Sequence, residues 1–135
     1  KMKIAICDDD SLELGRITSF IEAYRCERNA SVAYKSFKSA TELISQAEKR
    51  AFGLILLDIM MPGVDGMEAA KEIRIFDTGV KIVFLTSSPE FAVESYAVKA
   101  YDYILKPVPK DKLFSVLDAV IADEHIPLEG FTVKT

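Results

Sequence analysis

The chain has 135 residues, of which 50% are hydrophobic and 28% charged, with a formal net charge of -4. That balance fits one folded domain with its own core and excludes a disordered chain, and its acidity argues against this piece gripping nucleic acid on its own. With no signal peptide and no apolar run of membrane-spanning length, the expected location is the cytoplasm, away from membranes.

In chain order, Lys3 to Cys7 reads as a first strand that runs directly into Asp8, Asp9 and Asp10. Asp10 and Glu13 have capping spacing, and Leu14, Ile17, Ile21 and Tyr24 mark the buried face of a first helix. Asp10 is thereby explained structurally, whereas Asp8 and Asp9 are not. Val32 to Phe37 has the more polar pattern of an edge strand. Ser39 and Glu42 then form a capping box before a helix that carries Leu43, Ile44 and Ala47 inward. Leu54 to Leu57 is a short unbroken apolar run, the mark of a strand buried on both faces, and it stops at Asp58. Pro62, Gly63 and Gly66 turn the chain, Asp65 and Glu68 cap the next helix, and Met67, Ala70 and Ile73 line one side of it.

Val80 to Leu85 is another apolar strand, ending at Thr86, Ser87 and Ser88. Ser88 before Pro89 begins a fourth helix, with the proline where an amide would have no partner. Tyr101 to Leu105 makes a fifth strand, followed by Lys106-Pro107. The last helix has Leu113, Val116, Leu117, Val120 and Ile121 at helical spacing. Five strand-helix alternations predict an α/β fold: a five-stranded parallel sheet with right-handed crossovers and helices on both faces, in the common order 2-1-3-4-5. From Asp123 the composition shifts, and Phe131 and Val133 alternate as in a strand with no later segment to pair with. Residues 123–135 read equally as a linker into an output domain missing from this chain and as a frayed terminus.

The predicted order brings Asp8 and Asp9 beside Asp58, at the crevice beyond the strand ends where such sheets bind ligands. Like charges this close repel by about a few kcal/mol per pair at an effective dielectric near 20, so a cation should accompany them. Mg²⁺, which keeps water and takes hard oxygen ligands, suits a few carboxylates plus a phosphoryl oxygen. Lys106, ending strand five, adds a positive charge at the same edge, and Thr86, ending strand four, adds a hydroxyl. These groups suit an in-line transfer in which the Asp58 carboxylate attacks phosphorus. Cys7 and Cys26 form no Cys-x-x-Cys or Cys/His grouping and read as buried or idle thiols of a reducing compartment. His125, in the polar tail, has no expected metal or catalytic role.

Residues 3 to about 122 resemble the receiver domain of two-component response regulators, a flavodoxin-like fold also called CheY-like. The resemblance rests on Cys7-Asp8-Asp9-Asp10, on Leu57-Asp58-Ile59-Met60-Met61-Pro62-Gly63-Val64-Asp65-Gly66, on Phe84-Leu85-Thr86-Ser87-Ser88 and on Tyr103-Ile104-Leu105-Lys106-Pro107. It implies that Asp58 accepts a phosphoryl group from a sensor histidine kinase, and that the domain assists its own phosphorylation and dephosphorylation without being an enzyme. It implies that Asp8, Asp9, Asp58 and the backbone carbonyl of Met60 hold Mg²⁺, that Lys106 and Thr86 contact the phosphoryl oxygens, and that Lys106-Pro107 is a cis peptide. It also implies that Tyr103 turns inward as Thr86 moves toward the phosphate, although Tyr103 alone reads equally as a half-buried strand aromatic. The readout is then a changed surface on helix four, strand five and helix five, a face the family uses for homodimers.

The stretch from Ser87 to Pro107 is similar to receivers that precede LytTR-type DNA-binding domains, which implies a transcription regulator whose contact with DNA lies in the absent output domain. Met60 offers no polar group to orient an attacking water, so phosphorylated Asp58 is expected to be long-lived. The rival reading is a Mg²⁺-dependent aspartyl-phosphate phosphohydrolase of the haloacid-dehalogenase type, which needs an acid where this chain has Met60. A flavodoxin-like cofactor binder is a second rival, opposed by the anion-repelling Asp8, Asp9 and Asp10.

Overall fold

A computed structural model describes residues 1–124, in which strands and helices alternate as the sequence patterns predict. The elements are β1 (Met2–Cys7), α1 (Ser11–Arg28), β2 (Val32–Phe37), α2 (Ala40–Ala47), β3 (Leu54–Leu57), α3 (Gly66–Phe76), β4 (Lys81–Thr86), α4 (Ala92–Ser95), β5 (Asp102–Leu105) and α5 (Lys110–Glu124). All strand pairs are parallel and their order is β2-β1-β3-β4-β5, as expected. The register sets Cys7 beside Leu57 and Leu57 beside Phe84, so β1 and β3 end level with each other.

Alternation along the three central strands divides the core in two. Ile4, Ile6, Leu54, Leu56, Val83 and Leu85 face α1 and α5, whose Ile17, Ile21, Leu113 and Leu117 complete one hydrophobic cluster. Ala5, Cys7, Ile55, Leu57, Ile82 and Phe84 face the opposite way, onto Leu43 of α2 and Met67, Ala70 and Ile73 of α3. Successive side chains on a strand point to opposite faces, so an apolar run can seat helices on both sides of one sheet. β2 lies at an edge and buries only Val32 and Phe37, which accounts for its more polar sequence.

The helix starts follow the predicted caps, with differences in detail. Asp65 and Glu68 make a full capping box on α3. Ser39 accepts from the Glu42 amide, but its hydroxyl also meets the Glu42 carboxylate at 3.3 Å, so Glu42 returns to the hydroxyl and not to the Ser39 amide. Asp10 caps α1 by accepting from the Leu12 amide, which leaves Glu13 free of the cap.

The fourth helix is the element that departs most from expectation. Ser88 caps a 3₁₀ turn, Pro89–Phe91, and a single turn of α4 leads into a second 3₁₀ turn, Tyr96–Val98. The segment has no inward stripe to sustain a long helix, since Val93 and Tyr96 are more than four-fifths exposed and Ser95 and Val98 alone are buried. It is fastened from outside by Arg74 of α3, whose guanidinium donates to the carbonyls of Val98 and Val80 at 2.7 Å and of Lys99 at 3.2 Å.

α5 continues through Asp123 and Glu124, two residues past the expected break after residue 122. The remainder of the expected linker, with His125, Phe131 and Val133, lies outside the described residues. Among the described residues no helix is long and apolar enough to cross a membrane.

Candidate functional site

β1 and β3 are paired neighbours whose carboxyl ends are held level, so the residues that follow them converge. Asp8, Asp9 and Asp58 each present a carboxylate oxygen within 4.8 Å of the others. Asp8 and Asp58 are buried, while Asp9 is exposed. The buried pair is positioned by backbone: the Asp58 amide donates to the Cys7 carbonyl at 2.9 Å, and Asp8 Oδ1 accepts from the Asp10 amide at 2.9 Å.

Lys106, carried past the end of β5, reaches back over two strands. Its Nζ lies 2.8 Å from Asp8 Oδ2 and 3.4 Å from Asp58 Oδ1, and its amide donates to the Thr86 carbonyl at 2.8 Å. The Lys106-Pro107 bond is cis. Asp8 and Asp58 at 4.8 Å or less repel by at least about 3 kcal/mol at an effective dielectric near 20, a repulsion that the shared ammonium at 2.8 and 3.4 Å offsets without removing the cost of burying two carboxylates. The Asp58 carboxyl is accordingly raised from 3.8 to about 6, by burial first and the Asp8 charge second, against the pull of Lys106. Lys106 itself loses to burial but gains more from the Asp8 hydrogen bond and the two carboxylate charges, for a net rise.

Gly66 decides how closely α3 approaches Asp58. Its amide donates to the Ile59 carbonyl at 2.8 Å, and a Cβ there would overlap the Asp58 carbonyl oxygen and come within 2.8 Å of the Ile59 Cα. Gly63 takes a positive φ of 76° in the same turn. Met60, two residues after Asp58, leaves 54% of its surface exposed.

Thr86 is fully buried at the end of β4, and its hydroxyl accepts from the Ser88 amide at 3.3 Å. The Ser88 carbonyl in turn accepts from the Tyr103 hydroxyl, whose ring lies 6.2 Å from Phe84. Ser88 thus joins Thr86 to Tyr103, a connection the sequence concealed because Ser88 has an adequate reading as a helix cap. Cys7 is buried against Met61, and burial, with the Asp8 and Asp58 charges behind it, pushes the thiol up to about 12. Cys26 is exposed.

The donor set fits a hard divalent cation: three carboxylates, two of them buried, with more negative charge than one lysine balances. The same arrangement sets the Asp58 carboxylate 3.4 Å from the Lys106 ammonium, within the acidic cluster.

A family model described as the response regulator receiver domain matches residues 4–118. The chain is 28% identical over 134 residues to the positive alginate biosynthesis regulatory protein of Pseudomonas aeruginosa, covering 97% of this chain and 52% of that protein. It is 28% identical over 114 residues to the sensory transduction protein LytT of Oceanobacillus iheyensis, covering 83% and 45%. The response regulatory domain of protein MrkE from Klebsiella pneumoniae is similar at 28% identity and a TM-score of 0.80, over 90% of this chain and 97% of that one. The chain spans about half the length, or less, of the curated relatives it matches.

Proposed function

This chain belongs to the response regulator receiver domain family, and on that footing we propose that Asp58 is its phosphoacceptor, charged by a sensor histidine kinase. The observation that carries the reading is the buried Asp58 carboxylate, held among Asp8, Asp9 and the bridging Lys106 ammonium at the ends of three strands. An Asp58 oxygen attacks phosphorus; the new P–O bond forms as the bond to the donor breaks, and the leaving imidazole keeps the electron pair and takes up a proton. Lys106 stands where charge on the transferred oxygens falls, and Thr86 supplies a hydroxyl from the next strand.

Asp8, Asp9, Asp58 and the Met60 carbonyl are the groups that would hold Mg²⁺. When bound, the ion supplies neutralising charge to the carboxylates and the phosphoryl oxygens. In the same reading the domain assists both its own phosphorylation and the loss of the phosphoryl group.

Movement of Thr86 toward a phosphoryl group breaks its link to Ser88, and with it the support under the Tyr103 hydroxyl. Tyr103 is the switch aromatic of this proposal, and the surface that changes is α4, β5 and α5. Exposed Val93, Tyr96 and Leu105 lie on that surface and support its use in a homodimer. Residues 1–122 form the receiver unit of a cytoplasmic protein. Residues 123–135 lead into an output domain, of LytTR type, that carries the DNA contact for transcription regulation. Likeness to LytT and to the alginate regulator supports that part.

The test is incubation with a small phosphodonor and Mg²⁺, followed by intact mass. The expected result is a gain of one phosphoryl group in the parent and none in Asp58→Asn. A gain that survives the substitution, or no gain in the parent, overturns the assignment. Turnover of a phosphate ester well beyond one equivalent would restore the hydrolase reading.

A further inference from the structure

Two charged residues on α1, Glu13 and Arg16, lie beside the site without a part in the chemistry above. Arg16 Nη2 donates to the Val108 carbonyl at 2.7 Å, joining helix one to the segment that begins Lys106-Pro107-Val108. Val108 is fully buried, so its carbonyl is held in place by the core, and the Arg16 guanidinium packs over the Phe20 ring at 4.9 Å. Among the described residues no other side chain hydrogen-bonds to the backbone of residues 107–109. Glu13 Oε1 lies 3.9 Å from Arg16 Nη1, and Glu13 Oε2 and Arg16 Nη1 are enclosed without a hydrogen bond to the protein. Glu13 also adds to the negative field at Lys106.

Between β5 and α5 the Lys106 backbone belongs to neither element, and its one strand-like bond is to Thr86. A lysine side chain has four rotors, so the reach of its ammonium to Asp58 depends on where that backbone stands. We propose that Arg16, with Glu13 balancing its charge, is a positioning residue that holds residues 106–108 so that the Lys106 ammonium reaches Asp58. Loss of the Arg16 bond to Val108 lets the segment drift, and drift of about an ångström at a charge-stabilising group is costly to rate. The proposal rests on the reading that Lys106 serves phosphoryl transfer to Asp58.

The experiment measures Asp58 phosphorylation by acetyl phosphate, at saturating and limiting donor, with Mg²⁺ affinity taken separately by calorimetry using the metal alone. Arg16→Met is expected to slow the saturated rate about tenfold at saturating Mg²⁺, so that any change in metal affinity from a displaced Lys106 ammonium does not enter the rate. Arg16→Lys, which can still donate to the Val108 carbonyl, is expected to recover most of the rate. In a Lys106→Ala background Arg16→Met should add no further loss, since it acts through the lysine. Far-UV circular dichroism confirms that each variant is folded. An unchanged rate in Arg16→Met, an equal loss with and without Lys106, or no recovery in a folded Arg16→Lys overturns the proposal. Undiminished phosphorylation in Lys106→Ala overturns instead the reading of Lys106, and the proposal falls with it for that separate reason.

Discussion

The Asp58→Asn substitution should make the metal-free protein more stable at neutral pH. Asp58 is 5% exposed and its carboxyl is raised from 3.8 to about 6, chiefly by burial and then by Asp8. At about 1.4 kcal/mol per pKa unit the shift corresponds to a cost of about 3 kcal/mol for keeping the folded carboxylate ionised, and coupling to Asp8 and screening bring the usable figure to about 2 kcal/mol. Asparagine keeps the shape, can still accept from Lys106, and removes the charge; Lys106 retains Asp8 at 2.8 Å. For a domain of this size about 2 kcal/mol is a rise of roughly 6 °C in Tm.

The pH dependence has a definite sign. A carboxyl raised on folding stabilises the native state below its unfolded value of 3.8, and that contribution is lost as pH rises through about 6. The gap between variant and parent should therefore be widest near pH 7.5 and shrink as pH falls through 6 toward 3.8. Thermal unfolding in chelator at several pH values is the assay. Mg²⁺ at ten times its dissociation constant should then stabilise the parent by about 1.4 kcal/mol and the variant by less. A variant that melts below the parent in chelator at pH 7.5, or a gap that ignores pH, would refute the electrostatic account.

Three other outcomes are expected. Gly66→Ala should cost at least about 2 kcal/mol in urea unfolding, because the clash is with the Asp58 backbone and no side chain can move aside. Met60→Asn should shorten the lifetime of phosphorylated Asp58, followed by intact mass after the donor is removed; equal or longer survival would show that the apolar residue does not shield the acyl phosphate. In the folded protein iodoacetamide at pH 8 should label Cys26 and spare Cys7, whose thiol is buried and pushed up to about 12, a pattern that peptide mass mapping reads directly.

Much of the site could be read in advance because its residues sit where apolar runs stop. Asp58 and Thr86 occupy such stops, Asp8 follows one directly, and Lys106 follows the fifth, so the strand pattern alone put them at one sheet edge. Arg16 and Ser88 could not be found that way. Arg16 has the look of a solvent-facing helix residue until Val108, distant in sequence, is brought against it. Ser88 has a sufficient local explanation as a cap, and only the approach of Tyr103 from another strand gives it a second role. The broken fourth helix was missed for a related reason, since Ser88-Pro89 is a sound start signal that says nothing about how far the helix can continue.

Period and punctuation along the chain were enough to specify the alternating elements, their parallel pairing and the two faces of the core, because burial on a strand or helix is set by short-range spacing. The sharing of one ammonium by Asp8 and Asp58, the raised Asp58 carboxyl, the bond from Arg16 to Val108 and the path from Thr86 through Ser88 to Tyr103 depend instead on distances between residues far apart in sequence. Hydrogen bonds need contact distance and Coulomb energy grows as separation shrinks, and such close approaches exist only once the sheet has assembled.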